Sequence, residues 1–256
     1  MIAKNDLLVD ITDKLALAEP DWEKVVARFK DGLFFQFGHF NFDNLVSVLA
    51  EVHVKIALEE ICKSYDSETR EKIVFDPVEA GIRAGQYIFG CNSADQLTVA
   101  KDENLRFGRE RQTYSEIDLL MLIDKLPVLF EVKLHVKRRR SRNIKPAPGM
   151  KGIYHQMENE RIRHVLQPIF KYFGCSESGY VIVVPKDIAN NNSPIQEDFR
   201  KRNGIIVAFY KDRKNFREEV GEINKKYGLF PGKNKDGRPH VENSEFGIDE
   251  ILNSKY

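Results

Sequence analysis

Residues 115–135 constrain the fold of this chain more than any other stretch. They contain two strongly apolar runs, rich in Leu, Ile, Val and Phe, separated by residues 124–127 (Asp-Lys-Leu-Pro). Polar residues and proline are typical of turns, so the stretch is predicted to form a β-hairpin. Because both runs are apolar on nearly every residue, we expect the two strands to be buried on both faces. Three ionisable residues nevertheless lie within these runs: Asp118, Glu131 and Lys133.

The length of the turn decides which of these side chains meet. If the turn is the two residues after Ile123, Asp118 lies opposite Glu131; if the loop has four residues, Asp118 lies opposite Lys133. In either register, strand alternation places Glu116 on this face as well. Directly opposed side chains have Cβ atoms about 4.5–5.5 Å apart. The hairpin therefore predicts that carboxylates and an ammonium converge on one small patch.

A bound divalent cation would explain such a patch. Two like charges held close together in a poorly solvated place are costly unless something compensates them. Carboxylate oxygens suit Mg²⁺ or Mn²⁺ better than zinc. A lysine beside the ion could orient or deprotonate a bound water and stabilise the charge on an attacked phosphate. The predicted chemistry is metal-assisted hydrolysis of a phosphodiester, and the alternative is a structural ion-pair cluster at a sheet end.

The pattern of an acidic residue, a tight hairpin and then Glu-x-Lys resembles the PD-(D/E)XK, or restriction-endonuclease-like, nuclease superfamily. Here it reads Asp118, followed by Glu131-Val132-Lys133. The proline that precedes the acidic residue in the family pattern is replaced by Ile117. The resemblance implies an α/β fold with an αβββαβ core, in which helices flank a central mixed β-sheet. It also implies that Asp118 and Glu131 bind the metal and that Lys133 is catalytic.

The resemblance further implies an acidic metal ligand on a helix that precedes the sheet. Asn41 or Asp43 is predicted to cap a long helix that ends near Tyr65. Glu51 belongs to the second of two apolar stripes on this helix, so its side chain is expected to face a neighbouring element. Glu51 is therefore the candidate ligand, and a solvated or ion-paired role is the alternative. Three other residues are rival candidates: Glu59, Glu60 and Glu79.

A basic segment follows the hairpin directly. Six of its nine residues are basic: Lys137, Arg138, Arg139, Arg140, Arg142 and Lys145. Pro and Gly follow at 146–149, which is typical of a loop. Because the strand that carries Glu131 leads into it, the segment is predicted to contact nucleic-acid phosphates. A solvated basic loop and a localisation signal are the alternatives. In the helix that follows, His155 or Gln156 could reach the substrate.

Apolar strands alternate with helices along the chain, which indicates an α/β domain with a mixed sheet. Three segments are candidates for short strands, one of which would be the first core strand: Ile73–Phe75, Tyr87–Phe89 and Leu97–Ala100. After the hairpin we predict helices over 152–173, 194–203 and 213–227, strands over 179–185 and 204–210, and a short helix at 248–252. The predicted divisions are an N-terminal helical and aromatic extension (1–40), a nuclease-like α/β domain (41–227) and a peripheral C-terminal tail (228–256). The αβββαβ core corresponds to 41–184.

Composition excludes several other classes. A chain of 256 residues can bury one substantial core. No apolar run approaches the roughly 20 residues of a membrane span, and the N-terminus lacks a signal-peptide pattern. The three cysteines, Cys62, Cys91 and Cys175, are far apart and are expected to be free thiols in the cytoplasm. The nucleotide-binding and serine-hydrolase motifs are missing, and the histidines lack the spacing of a zinc site.

We therefore expect a Mg²⁺-dependent nuclease that hydrolyses DNA, most simply an endonuclease, with Mn²⁺ as an alternative ion and RNA as an alternative substrate. The net charge of +1 means that any basic surface must be local. Many members of the superfamily act as dimers, so a homodimer is a further expectation. The alternative is a non-catalytic nucleic-acid-binding or assembly protein that retains the nuclease fold. The intact acid, acid and lysine pattern favours the enzyme.

Overall fold

The structure is a computed structural model, and it describes residues 5–31, 42–78, 83–84, 87–91, 97–101, 113–134, 169–190, 197, 199–200 and 204–229. Between 83 and 116 only the backbone of these residues is described. The chain forms an α/β fold in which helices pack on a five-stranded mixed sheet, and a separate four-stranded sheet is present.

The helices begin and end where local sequence signals occur. They are α1 (Asp6–Leu17), α2 (Trp22–Asp31), α3 (Phe42–Lys63), α4 (Ser67–Arg70), α5 (Lys186–Ala189) and α6 (Arg213–Tyr227). The Asn5 side chain accepts the Leu8 N–H at 3.0 Å and caps α1. Asp212 caps α6, which ends at Gly228 in the left-handed conformation, with φ of 61°. Asp43, one of the two predicted caps of α3, lies instead in its first turn.

The strands belong to two sheets. They are β1 (Ile73–Phe75), β2 (Arg83–Ala84), β3 (Tyr87–Cys91), β4 (Leu97–Lys101), β5 (Thr113–Ile117), β6 (Leu119–Ile123), β7 (Leu126–Val132), β8 (Gly179–Val184) and β9 (Gly204–Ala208). The larger sheet has the order β1-β6-β7-β8-β9. Its first three strands are antiparallel and its last three are parallel. The smaller sheet is antiparallel, with the order β2-β3-β4-β5.

The larger sheet is buried on both faces, as its apolar strands predict. On one face, Met121, Phe130 and Val181 share a core with α1, α2, α3 and α6. On the other face, Leu129 packs near Ile169, and further apolar residues of β8 pack against α5. Burying a side chain the size of Phe130 stabilises a fold by roughly 1.5–3 kcal/mol. The centre of the sheet is thus buried among apolar side chains, and this packing fixes the positions of the strand ends.

The hairpin has the shorter of the two predicted turns. Ile123 pairs with Leu126, and Asp124 and Lys125 have φ angles of 51° and 66°. Two consecutive residues with positive φ define a type I′ turn, whose twist matches that of the strands it joins. The register of the four-residue loop is therefore wrong.

Of the three candidate segments, the one next to the hairpin is β1, which pairs with β6 through Ile73 and Ile123. The other two candidate segments, β3 and β4, lie in the smaller sheet instead. The apolar run before the turn is also not one unbroken strand. β5 pairs with β4 and β6 pairs with β7, so Asp118 lies between two strands of different sheets.

Later elements agree with the sequence to different extents. The predicted strand from Gly179 is β8, and the predicted helix 213–227 is α6. β9 ends at Ala208, two residues before the predicted end. Residues 169–173 and 199–200 are helical, while the remainder of those two predicted helices, and the helix at 248–252, lie outside the described residues. The three divisions of the chain stay predictions. In the described ranges, no helix combines the length and apolar character of a membrane span.

Candidate active site at the end of the β-hairpin

Asp118 is held by the backbone of the neighbouring strand. Its Oδ2 accepts the backbone N–H of Val132 at 2.7 Å. An antiparallel ladder would provide a backbone carbonyl for this N–H, but β5 leaves the larger sheet here to pair with β4. The Asp118 carboxylate replaces that carbonyl. Its position beside the end of β7 is therefore set by the way the two sheets separate.

Glu131 and Lys133 complete the cluster from β7. Leu119 pairs with Phe130, so the next position along the ladder sets Asp118 opposite Glu131. The Lys133 ammonium forms an ion pair with Glu131, and its Nζ lies 3.8 Å from Oδ2 of Asp118. The two carboxylates thus meet at one ammonium, which is the convergence that the two-residue turn predicts.

The side chains of the cluster are poorly solvated, and their charges interact strongly with one another. The Asp118, Glu131 and Lys133 side chains are only 9%, 14% and 25% exposed. Burial lowers the pKa of Lys133, but the negative charges of Asp118 and Glu131 outweigh it, so this pKa lies above its ordinary value. Lys133 is therefore an ammonium at neutral pH in this arrangement. As a cation, Lys133 can orient a water and stabilise negative charge. It cannot deprotonate that water, which was the other predicted role.

Glu51 lies close enough to act on the same lysine. Its negative charge also contributes to the raised pKa of Lys133. One turn further along α3, the side chain of Lys55 is 15% exposed and lies 3.4 Å from Asp76. Residues four apart lie on the same side of a helix. This side of α3 therefore faces the sheet end where β1, β6 and β7 meet.

Two of the rival acidic residues form ion pairs with helix α2 instead. Glu59 accepts two hydrogen bonds from Arg28, at 2.8 and 2.9 Å, and Glu60 binds Lys24 at 2.6 Å. Both partners belong to α2, so these pairs hold α2 against α3. The third rival, Glu79, lies outside the described residues. The described contacts favour Glu51 over Glu59 and Glu60 as the helix residue near the site.

Several predicted site residues are not described. They are Lys137, Arg138, Arg139, Arg140, Arg142, Lys145, His155 and Gln156. For Glu116 the backbone alone is described, and it pairs with Thr98 of β4 rather than with β7. The side chain of Glu116 lies outside the described residues, so its place on this face stays a prediction.

The pair formed by Lys55 and Asp76 was not predicted from the sequence. The Asp76 N–H donates to the Leu120 carbonyl at 3.1 Å, which places Asp76 beside β6, near Asp118. Asp76 also has a positive φ of 42°. A positive φ is uncommon for residues other than glycine, although aspartate adopts it more often than most. An Asp-Pro sequence directly after β1 and the four-residue spacing of Glu51 and Lys55 are the signals that could have indicated this pair.

The donor set fits magnesium. Among the described residues, no group of three His, Cys, Asp or Glu side chains is assembled in a way that could hold a metal ion. Mg²⁺ seldom needs such a cage, because it usually keeps several waters and binds one or two carboxylates plus substrate phosphates. Asp118 and Glu131 could serve as two hard carboxylate ligands, while Glu51 acts electrostatically on Lys133 and does not form one ligand group with them.

Comparisons with known proteins add no family to this description. The chain matches no protein-family model, no curated protein and no solved structure. Any function assigned to it must therefore be argued from the residues at the end of the hairpin.

Proposed function

We propose that this protein is a Mg²⁺-dependent nuclease that hydrolyses phosphodiester bonds of DNA, acting as an endonuclease. The observation that carries the proposal is the meeting of Asp118 and Glu131 at the ammonium of Lys133, in a poorly solvated place at a sheet end. The negative charges of Asp118, Glu131 and Glu51 all act on this one lysine. Carboxylate oxygens are ligands that Mg²⁺ prefers.

The order of elements supports a restriction-endonuclease-like core. Along the chain α3 precedes β1, β6 and β7, and helical residues 169–173 precede β8. This is the αβββαβ order that the sequence resemblance implies. The smaller sheet is then an insertion between the first and second core strands.

Each residue of the cluster has a distinct proposed role. Asp118 and Glu131 hold Mg²⁺, with Mn²⁺ as a substitute, and Glu51 assists them directly or through water. The ion, when bound, supplies an activated water and neutralises charge on the phosphate. Lys133 donates hydrogen bonds that orient this water and stabilise the attacked phosphate. The Val132 N–H keeps the Asp118 carboxylate aimed at the site.

The basic segment Lys137–Lys145 is proposed to bind the DNA backbone. It begins four residues after Lys133, so it extends the chain directly from the site. Lysine and arginine contacts to phosphate are independent of base sequence and position the substrate.

The proposal is tested by incubating supercoiled and linear DNA with Mg²⁺, Mn²⁺ or EDTA. We expect metal-dependent cleavage by the wild type and a loss of about 100-fold or more in Asp118→Asn and Lys133→Met. Asparagine keeps an oxygen that can accept the Val132 N–H, so the fold of this variant should be intact. Cleavage by Asp118→Asn at the wild-type rate would remove Asp118 from the mechanism.

Two glutamates of α3 provide a matched control. Glu51→Gln should raise the Mg²⁺ concentration needed for half-maximal cleavage, whereas Glu59→Gln, with the same chemistry on the same helix, should not. If the wild type binds DNA or RNA tightly and cleaves neither with any metal, the protein is instead the non-catalytic nucleic-acid-binding alternative.

A further inference from the structure

The carboxyl ends of β7, β8 and β9 form one continuous edge of the larger sheet. The Lys133 N–H donates to the Val183 carbonyl at 2.9 Å, which joins β7 to β8. The Lys186 N–H donates to the Lys211 carbonyl at 3.1 Å, which joins the segments that follow β8 and β9. In open α/β sheets, ligands bind outside the carboxyl ends of the strands. The candidate site lies at the β7 end of this edge.

Cations continue along this edge beyond the site. Lys186 follows β8 and Arg213 follows β9, and both are exposed. Within the described part of the chain, neither side chain takes part in an ion pair. Lys214 is 84% exposed and lies 3.8 Å from a carboxylate oxygen of Glu218.

Acidic residues at the same edge are engaged within the fold. Asp187 accepts the backbone N–H of Arg213 at 3.2 Å, which ties the start of α6 to α5. Asp212 accepts the Asn215 N–H at 2.9 Å and caps α6. Both carboxylates accept backbone N–H groups, whereas Lys186 and Arg213 have no carboxylate partner among the described residues. These two cations are therefore available to a phosphate at this edge.

The edge from β7 to β9 is short enough for a few nucleotides to span. Neighbouring strands of a sheet lie about 4.8 Å apart, so β7 and β9 are separated by roughly 10 Å. One strand of B-form DNA advances about 3.4 Å per nucleotide. A backbone bound at Lys133 would thus pass Lys186 and Arg213 within a few nucleotides.

We propose that the DNA strand leaves the active site along the carboxyl edge of β8 and β9, with backbone phosphates bound by Lys186 and Arg213. This inference rests on the proposed nuclease function and assigns the path of its substrate. The contacts are electrostatic and independent of base sequence. They add a second phosphate-binding region to the one proposed for residues 137–145.

The test measures DNA binding at several salt concentrations, with Asp118→Asn as the parent protein so that DNA is not cut. One variant carries Lys186→Gln and Arg213→Gln. The matched control carries Lys225→Gln and Lys226→Gln, which remove the same charge from exposed positions at the opposite end of α6. A helix of 15 residues is about 22 Å long, so the control lies far from the edge.

The expected result is a change in salt dependence that is specific to the edge. The slope of log K against log salt should decrease in magnitude by about 1.8, since each neutralised phosphate contributes about 0.9. Affinity at low salt should fall roughly tenfold, while the control keeps the slope and affinity of the parent. In cleavage assays, Lys186→Gln with Arg213→Gln should raise KM and leave kcat unchanged.

Failure of this inference can be told apart from failure of the nuclease proposal. If the wild type cleaves DNA but the edge variant binds with the parent's slope, the path is wrong and the nuclease stands. If the control loses as much as the edge variant, net charge alone explains the effect and the path is again wrong. If the parent binds no DNA and the wild type cuts none, both proposals are overturned.

Discussion

At the scale of single residues, Asp118 combines a structural and a chemical position. One of its oxygens accepts the Val132 N–H where the ladder would otherwise be open, and the same oxygen lies near the Lys133 ammonium. An unsatisfied buried N–H costs about 1–3 kcal/mol. Replacing Asp118 by alanine would therefore weaken the fold as well as the chemistry, whereas asparagine separates the two effects.

Replacing Lys125 should increase the stability of the protein. It occupies a left-handed conformation, with φ of 66°, which costs a residue with a Cβ roughly 1–2 kcal/mol. Glycine adopts this conformation readily. We expect Lys125→Gly to stabilise the protein by about 1 kcal/mol and to raise Tm by about 2–4 °C, as measured by thermal unfolding.

Lys125→Ala is the control for this prediction. Alanine removes the charged side chain but keeps the Cβ, so its Tm should stay near that of the wild type. An equal rise in both variants would show that the lysine side chain, and not the backbone conformation, limits stability.

At the scale of elements, one carboxylate joins α2 and the segment after β9 to α6. Glu219 of α6 accepts the Trp22 indole N–H at 3.0 Å, the Tyr210 hydroxyl and the Lys211 ammonium at 2.8 Å. Burial raises the pKa of Glu219, but the hydrogen bonds from Lys211, Tyr210 and Trp22 outweigh it, and the pKa lies below its ordinary value. The carboxylate is therefore ionised, and three donors depend on it.

Glu219→Ala should destabilise the protein by about 2–3 kcal/mol, because it leaves these donors without their acceptor. Urea denaturation would measure the loss. Glu218→Ala, one residue earlier, removes a solvent-exposed carboxylate that lies 3.8 Å from Lys214, and it should cost less than about 0.5 kcal/mol. Equal losses would show that helix α6, and not the hydrogen-bond network, is sensitive to these changes.

Elements with a strong local pattern could be predicted from the sequence. The near-continuous apolar runs of β7 and β8 and the helical apolar repeat of α6 are recognisable in the sequence alone. The smaller sheet could not be predicted in the same way. β2 has two residues, and β5 contains Thr, Tyr, Ser and Glu, so neither has an apolar repeat. Their membership of a separate sheet depends on partners that are distant in sequence.

The candidate site was predictable where it follows from strand register. Once the turn has two residues, Asp118 must lie opposite Glu131. The contact between Lys55 and Asp76 depends instead on how α3 packs against β1, and the local signals at these two positions do not by themselves specify that packing. The resemblance selected Glu51, and the structure adds the electrostatic contact with Lys133.

At the scale of the whole molecule, a single core connects the N-terminal helices to the sheet. Leu8 of α1 and Phe29 of α2 belong to the same buried cluster as Leu49 of α3 and Phe130 of β7. His53 is buried at 3% exposure in this region, with its ring against Phe209 and Tyr210. The stability of the whole protein should therefore depend on the charge of this histidine.

The acid stability of the protein should reflect His53. Burial lowers its pKa from 6.5 to about 4. The unfolded chain binds the proton near pH 6.5 and the folded chain only near pH 4, so the contribution to stability is complete above 6.5 and is lost as the pH falls towards 4. From pH 7 to pH 5 the free energy of unfolding should decrease by about 2 kcal/mol from this residue. Urea denaturation at both pH values should show the decrease in the wild type and a smaller one in His53→Phe.

Phenylalanine keeps an aromatic ring between Phe209 and Tyr210 but binds no proton. It removes the contribution of His53 while the remaining carboxylates titrate as before, so the difference between the two proteins isolates this one group. If both lose the same stability between pH 7 and pH 5, the histidine is not responsible.

The separation of the two sheets at Asp118 has a mechanical consequence. β5 and β6 follow each other through this single residue, yet each belongs to a different sheet. The chain at Asp118 is therefore tied to β4 on one side and to β7 on the other, so the position of this carboxylate depends on both sheets.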